Sequence, residues 1–166
     1  MVTVARRIGR HDLSGDRVQK AIDPTISTWP QENAQLIGSA CGACSATVFP
    51  VQSHCPRCSR AEMSEVLLPR RGTVIAWTTQ GFPPGAPYAG PTGKDFVPFG
   101  VGLVQLGLGE DAVVRVEGRL TENDPERLTF GMEVELTFLP FATDASDPEN
   151  PVEIVTFAFQ PTGAHP

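Results

Sequence analysis

Residues 41–58 read CGACSATVFPVQSHCPRC and hold all four cysteines of the chain. Cys41 and Cys44 form one CxxC knuckle and Cys55 and Cys58 a second, with ten residues between them. Two such knuckles can wrap one ion tetrahedrally with four thiolates, the set that structural zinc prefers. A site closed in this way leaves no position for water or substrate, so it predicts a scaffold rather than a metal catalyst. The insert is shorter than the roughly 15–20 residues of the commonest spacing. A compact ribbon with Val48, Phe49 and Pro50 in its connecting hairpin still closes. Rubredoxin-type iron would use the same four sulfurs, usually with a much longer insert. Two disulfides need an oxidising compartment, and a redox CxxC comes singly beside a βαβ pattern, which is missing here. His54 adjoins Cys55 but is a bystander where four thiolates are available.

The chain has 166 residues, room for one ordinary domain and a small appendage. Gly and Pro contribute 16 residues each, which favours turns and short strands over helices. The start, MVTVARRIGRHD, has no apolar core of a signal peptide. No stretch approaches the ~20 apolar residues of a membrane span, so a cytoplasmic protein without membrane partners is expected. The only histidines are His11, His54 and His165, two of them near the chain ends, which disfavours a histidine-based nucleophilic site.

Working outward from the cysteines gives four segments. Residues 1–35 form an arm with little periodicity, with a short helix expected around Asp16 to Ile22 capped by Asp12 or Ser14, and an extended stretch through Trp29 and Pro30. Residues 36–69 are the metal ribbon, entered by a strand at Leu36–Ala40 and left by one at Val66–Pro69. Residues 70–161 read as five strands, and 162–166 as a tail. GTVIAWTTQ from Gly72 and AVVRVEGRL from Ala112 alternate with period two, the mark of half-buried strands. FGVGLVQLGL (Phe99–Leu108), VELTFLPF (Val134–Phe141) and VEIVTFAF (Val152–Phe159) complete the set. In NDPERL, Asn123 or Asp124 can cap a short helix with Pro125 in its first turn. Five short strands with a helical turn between the third and fourth match an OB-fold barrel, with a small β-sandwich as the alternative.

The connection GFPPGAPYAGPTGKDFVP, Gly81–Pro98, is too long to be an ordinary structureless loop. It carries Phe82, Tyr88 and Phe96 among five prolines, which stiffen it and lower the entropy cost of docking. This predicts a binding loop in preference to one folded back onto its own barrel.

A ribbon followed by an OB barrel invites a nucleic-acid reading, kept as the alternative function. Charge opposes it. Residues 72–166 hold four basic and thirteen acidic side chains, a net −9, which repels phosphate. The modest basic group Arg57, Arg60, Arg70 and Arg71 lies around the ribbon.

The order of motifs resembles the DUF35 OB-fold family. The matching pieces are Cys41-Gly42-Ala43-Cys44, Phe49-Pro50, Cys55-Pro56-Arg57-Cys58, Arg71-Gly72-Thr73-Val74, Pro87-Tyr88, Leu128 to Leu136 and Val155 to Pro161. The resemblance implies a mainly β protein, a rubredoxin-like zinc ribbon followed by a five-stranded OB-fold barrel, here with a short N-terminal helical or extended segment. It further implies a non-catalytic accessory subunit of a thiolase-superfamily enzyme acting on a CoA thioester. The branch it resembles most partners lipid-transfer-protein-like thiolases and steroid side-chain aldolases, and a heterotetramer is expected. Cys41, Cys44, Cys55 and Cys58 would then bind structural Zn2+, and Phe82, Tyr88, Phe96 and Phe99 would face the partner or its substrate tunnel. Arg57, Arg60, Arg70, Arg71 and Lys94 are the candidates for CoA phosphate contacts. The segment before Leu36 departs from the short helical lead of many relatives.

Overall fold

A computed structural model describes residues 18–107 and 112–163. Nine strands run through them: β1 (Val18–Ala21), β2 (Ile37–Cys41), β3 (Thr47–Val48), β4 (Met63–Leu67), β5 (Arg71–Gln80), β6 (Phe99–Gly107), β7 (Val113–Leu120), β8 (Glu133–Asp144) and β9 (Val152–Pro161). The one helical element among the described residues is a single 3-10 turn, Gly93–Asp95. Strands β3, β2 and β4 pair in that order as an antiparallel ribbon. The others pair in the order β1-β9-β7-β6-β5-β8, and β9 also pairs with β8 along ten residue pairs. β5, β6, β7, β9 and β8 therefore close into the expected five-stranded barrel.

The alternation read in the sequence sets the barrel interior, because successive side chains on a strand face opposite ways. β6 buries Gly100, Gly102, Val104 and Leu106, and β7 buries Val114, Val116 and Leu120. They meet Val134, Leu136 and Phe159 in one core. Leu36 and Leu68, at the two feet of the ribbon, are fully buried in the same cluster. Each contributes about 1.5–3 kcal/mol of apolar burial to a core shared by ribbon and barrel.

Two helices expected from the sequence are absent from the described residues. Where a helix was expected at Asp16–Ile22, Val18–Ala21 is a strand lying parallel to β9, from Val18 opposite Val152 to Ala21 opposite Val155. Asp16 and the caps Asp12 and Ser14 lie outside the described residues. The cause is tertiary. β7 meets β9 only at Arg119–Ala158 and Leu120–Phe159, so the first half of that β9 edge needs another backbone partner. In NDPERL, Asp124 Oδ1 accepts the Glu126 N–H at 2.9 Å and the Arg127 N–H reaches the Asp124 carbonyl at 3.0 Å. The chain makes this one turn and then buries Leu128.

Strand bounds shift modestly. The ribbon strands are Ile37–Cys41 and Met63–Leu67 rather than 36–40 and 66–69. β8 runs on to Asp144 past a bulge between Pro140 and Ala142. Leu108, expected at the end of β6, lies outside the described residues.

Candidate metal centre and partner face

The two knuckles are built alike, fourteen residues apart. The Cys41 N–H donates to the Ala46 carbonyl at 2.9 Å and the Cys55 N–H to the Arg60 carbonyl at 2.8 Å. The Ser45 N–H returns to the Cys41 carbonyl at 2.9 Å and the Ser59 N–H to the Cys55 carbonyl at 2.8 Å. Ser45 and Ser59 both adopt left-handed backbone, φ 59° and 60°, the tight reversal that turns each second cysteine toward its first.

These turns converge four sulfurs. All lie within 4.8 Å of one another, and the cross-knuckle pairs Cys41–Cys58 and Cys44–Cys55 are each 3.6 Å apart. That is far beyond the ~2.05 Å of a disulfide. It fits the ~3.8 Å edge of a tetrahedron with Zn–S bonds of ~2.3 Å. Cys41 and Cys55 are 3% and 1% exposed, so two of the four sulfurs are screened from water. Burial pushes the Cys55 thiol up, but the Cys58 and Arg57 N–H groups and the neighbouring sulfurs outweigh it and bring the thiol down to about 7. The Arg60 N–H favours a Cys58 thiolate, yet burial and the other three sulfurs push that thiol up to about 12. Sulfurs crowded this closely compete for protons, a conflict that a divalent cation removes. The His54 ring stands outside the cluster, with Nδ1 3.2 Å from Ser53 Oγ.

The four aromatic candidates fall into three situations. Phe82 is 72% exposed. Its carbonyl accepts the Gln80 side-chain amide at 2.6 Å. Tyr88 is folded back, its ring edge-on to Phe141 of β8 at 5.6 Å. It lies over Gly90, where a Cβ would collide with the phenol. Phe96 packs on Phe99 at 6.0 Å, and the Arg119 guanidinium sits 4.4 Å over the Phe99 ring. Phe130, which the sequence reading did not single out, is the most exposed large hydrophobic among the described residues at 75%. Its ring lies tilted against Trp77, centroids 6.5 Å apart, in the turn that ends at Gly131, φ 80°. An aromatic directly before a turn glycine was the signal.

The basic candidates lie on separate elements. Arg57 and Arg60 are exposed on the second knuckle, Arg60 4.0 Å from Glu62, and Lys94 is exposed on the 3-10 turn. Arg71 is exposed, with Nε 3.2 Å from Glu135. Arg70 is the basic candidate most engaged within the chain. Its fork binds the Ala34 carbonyl, the Leu136 carbonyl at 2.8 Å and Glu135 at 3.3 Å, tying the ribbon's foot to the barrel. These contacts use three of the five guanidinium N–H donors and leave the side chain 30% exposed.

Arg70→Ala strands those carbonyls at a half-buried seam and is expected to cost about 2–3 kcal/mol. The hydrogen bond from Arg70, opposed by some burial and helped by Arg71, also holds the Glu135 carboxyl below its usual range. Such a carboxylate adds stability that is present above its unfolded value near ~4.3 and lost as pH falls through the lower folded value. The gap between parent and variant in urea melts is therefore expected to narrow from pH 7 toward acid. A gap that stays constant would show that Glu135 gains nothing from Arg70.

Comparison with known proteins places the whole arrangement. Residues 35–64 match the family model "ChsH2, rubredoxin-like zinc ribbon domain" and residues 65–139 the model "ChsH2, C-terminal OB-fold domain". A DUF35 domain-containing scaffold protein of Pyrococcus furiosus is 35% identical over 107 residues, 64% of this chain and 70% of the relative. Another, from Methanocaldococcus jannaschii, is 29% identical over 121 residues, 70% of this chain and 77% of the relative. A solved structure described as "Ltp2-ChsH2(DUF35) aldolase" matches 78% of this chain and 86% of its own, at 25% identity and a TM-score of 0.50. With both ribbon and barrel matched, and a scaffold-protein relative 35% identical, the chain belongs to the DUF35 family of zinc-ribbon and OB-fold proteins.

Proposed function

We propose that the protein is a non-catalytic scaffold subunit of a heteromeric thiolase-like enzyme acting on a CoA thioester. The observation that carries the reading is the likeness to scaffold proteins and to a solved structure described as an Ltp2-ChsH2(DUF35) aldolase. Among the described residues, the sole group of three or more metal-ligating side chains close enough to share an ion is the four-cysteine cluster. Its four thiolates would hold one structural zinc and leave no position for substrate. The partner would carry the reacting groups, in a retro-aldol lyase or thiolase, with a bulky acyl chain such as a steroid side chain as the substrate favoured by the family branch. A cytoplasmic assembly of two scaffold and two enzyme subunits is the form we expect.

This chain's part is to present surface and fix its shape. Phe82 and Val97, at 72% and 60% exposure, flank the Pro-rich loop and are natural partner contacts. The cleft beside the loop, about 430 Å³ and lined by Phe141, Pro140, Asp95 and Glu153 among others, bears two carboxylates and would repel CoA phosphates. A CoA passage would therefore be completed by the partner's cations, with Arg57, Arg60, Arg71 and Lys94 as the more exposed candidates here.

The test is a tagged pull-down from the native host, with mass spectrometry and metal analysis of the same sample. A thiolase-like protein in near-equal amount, with one zinc per chain, is expected. A protein that purifies alone, or with nucleic acid, would overturn the function and leave the fold standing. The loop gives a sharper check. Phe82→Ala is expected to weaken the complex about tenfold or more with an unchanged melting temperature. Tyr88→Ala should lower the melting temperature as well, because its ring packs on Phe141. Intact affinity in Phe82→Ala would remove that side chain from the interface.

A further inference from the structure

The edge of β9 that faces β7 is covered in two pieces. β1 pairs with Val152 to Val155 and β7 with Ala158 and Phe159, so Thr156 and Phe157 lie between them with no strand on that side. Phe49 stands there. Its ring meets Phe157 edge-on at 5.7 Å, and Phe157 meets the core residue Phe159 at 6.2 Å. β7 makes room at the same point with Gly118, where a Cβ would come 2.9 Å from Phe157 and 3.0 Å from Phe159. The ribbon strand β3, just before Phe49, also touches β7. A line of aromatic rings thus runs from the ribbon hairpin, across the weakest joint of the barrel, into its core.

The hairpin that carries Phe49 has little else to hold it. β3 pairs with β2 at only two positions, Ser39–Val48 and Ala40–Thr47, helped by the Gln52 N–H to Ser39 Oγ at 3.1 Å. Its two ends are Cys44 and Cys55, whose sulfurs face each other across the cluster. We propose that the metal-bound ribbon is a latch on the barrel: the ion fixes the hairpin, the hairpin fixes Phe49, and Phe49 seals the β7–β9 joint. Loss of the ion releases Phe49 and opens the joint, exposing Phe157 and loosening the surface offered to a partner. This rests on the occupancy of the cysteine site proposed above.

Hydrogen exchange of the full chain tests it in four samples: metal-loaded, stripped with a chromogenic chelator that counts the released ion, Phe49→Ala loaded, and Phe49→Leu loaded. The marker is the Thr121 N–H, which donates to the Phe159 carbonyl at 3.0 Å across the joint, together with the amides of residues 156–160. Stripping is expected to speed their exchange about tenfold or more, while the β5–β6 ladder changes little. Phe49→Ala should open the joint with its metal still bound, and Phe49→Leu should largely restore it. Release of the metal with the joint still protected would overturn the latch and make the ribbon an independent module. A preparation that releases no metal would defeat the occupancy reading, and the latch with it.

Discussion

Cys55→Ser is expected to strip the metal and unfold the ribbon, the largest effect of any single change outside the barrel. Cys55 is 1% exposed and its sulfur lies 3.6 Å from that of Cys44, so its replacement opens the centre of the ligand set rather than its rim. A serine hydroxyl does not ionise near neutral pH and is a poor ligand for a soft-leaning cation. Structural zinc of this kind binds with about 10–16 kcal/mol, and that energy is folding energy because the site does not preexist in the unfolded chain. The ribbon has little to fall back on, since its apolar content beyond Leu36, Leu68 and Phe49 is small and shared with the barrel. Metal content should fall to zero and ribbon amides should lose protection, while the five barrel strands keep their circular dichroism. An unchanged melting temperature with one ion still bound would sink the claim that these thiolates hold a structural metal.

How far the sequence could be read follows from which interactions are local. The knuckles were legible because CxxC spacing and the turn that serves it are properties of a few adjacent residues. The barrel strands were legible because burial on one face imposes a period of two, visible where buried Val114 and Val116 alternate with exposed Arg115 and Glu117. β1 was not. Only Val18 in VQKA favours a strand, and the segment becomes one because β9 has an uncovered edge more than a hundred residues away. The contacts of Arg70 were hidden for the same reason. A basic residue beside an exposed one looks like a pair of surface charges until Ala34 and Leu136 are seen to converge on it. The loop was legible in kind but not in detail. Its aromatics were expected to face a partner together, whereas Tyr88 packs on Phe141 and Phe82 is exposed. Phe49 was visible as a hairpin residue, but its place against Phe157 depends on where β7 and β9 part.

Phe159→Ala is expected to do to the barrel what Cys55→Ser does to the ribbon. Phe159 is the largest fully buried side chain among the described residues. It lies opposite Leu136 on β8 and Leu120 on β7, so its ring stands where the closing strand meets both neighbours. Truncation removes the ring from the core and leaves a cavity walled by a closed ladder that cannot collapse to fill it. Such changes cost about 3–5 kcal/mol. In a chain of this length that corresponds to a melting temperature lower by roughly 6–20 °C. Phe159→Leu keeps most of the volume and should cost about 1.5 kcal/mol or less. Thermal melts of the metal-loaded proteins check both, and a difference of only 1–2 °C for the alanine variant would mean the barrel is not closed through β9. Metal retention in the same samples separates two couplings. If the ribbon holds its ion in Phe159→Ala, dependence runs from ribbon to barrel through Phe49. Loss of the ion as well would make the shared Leu36 and Leu68 core the dominant link.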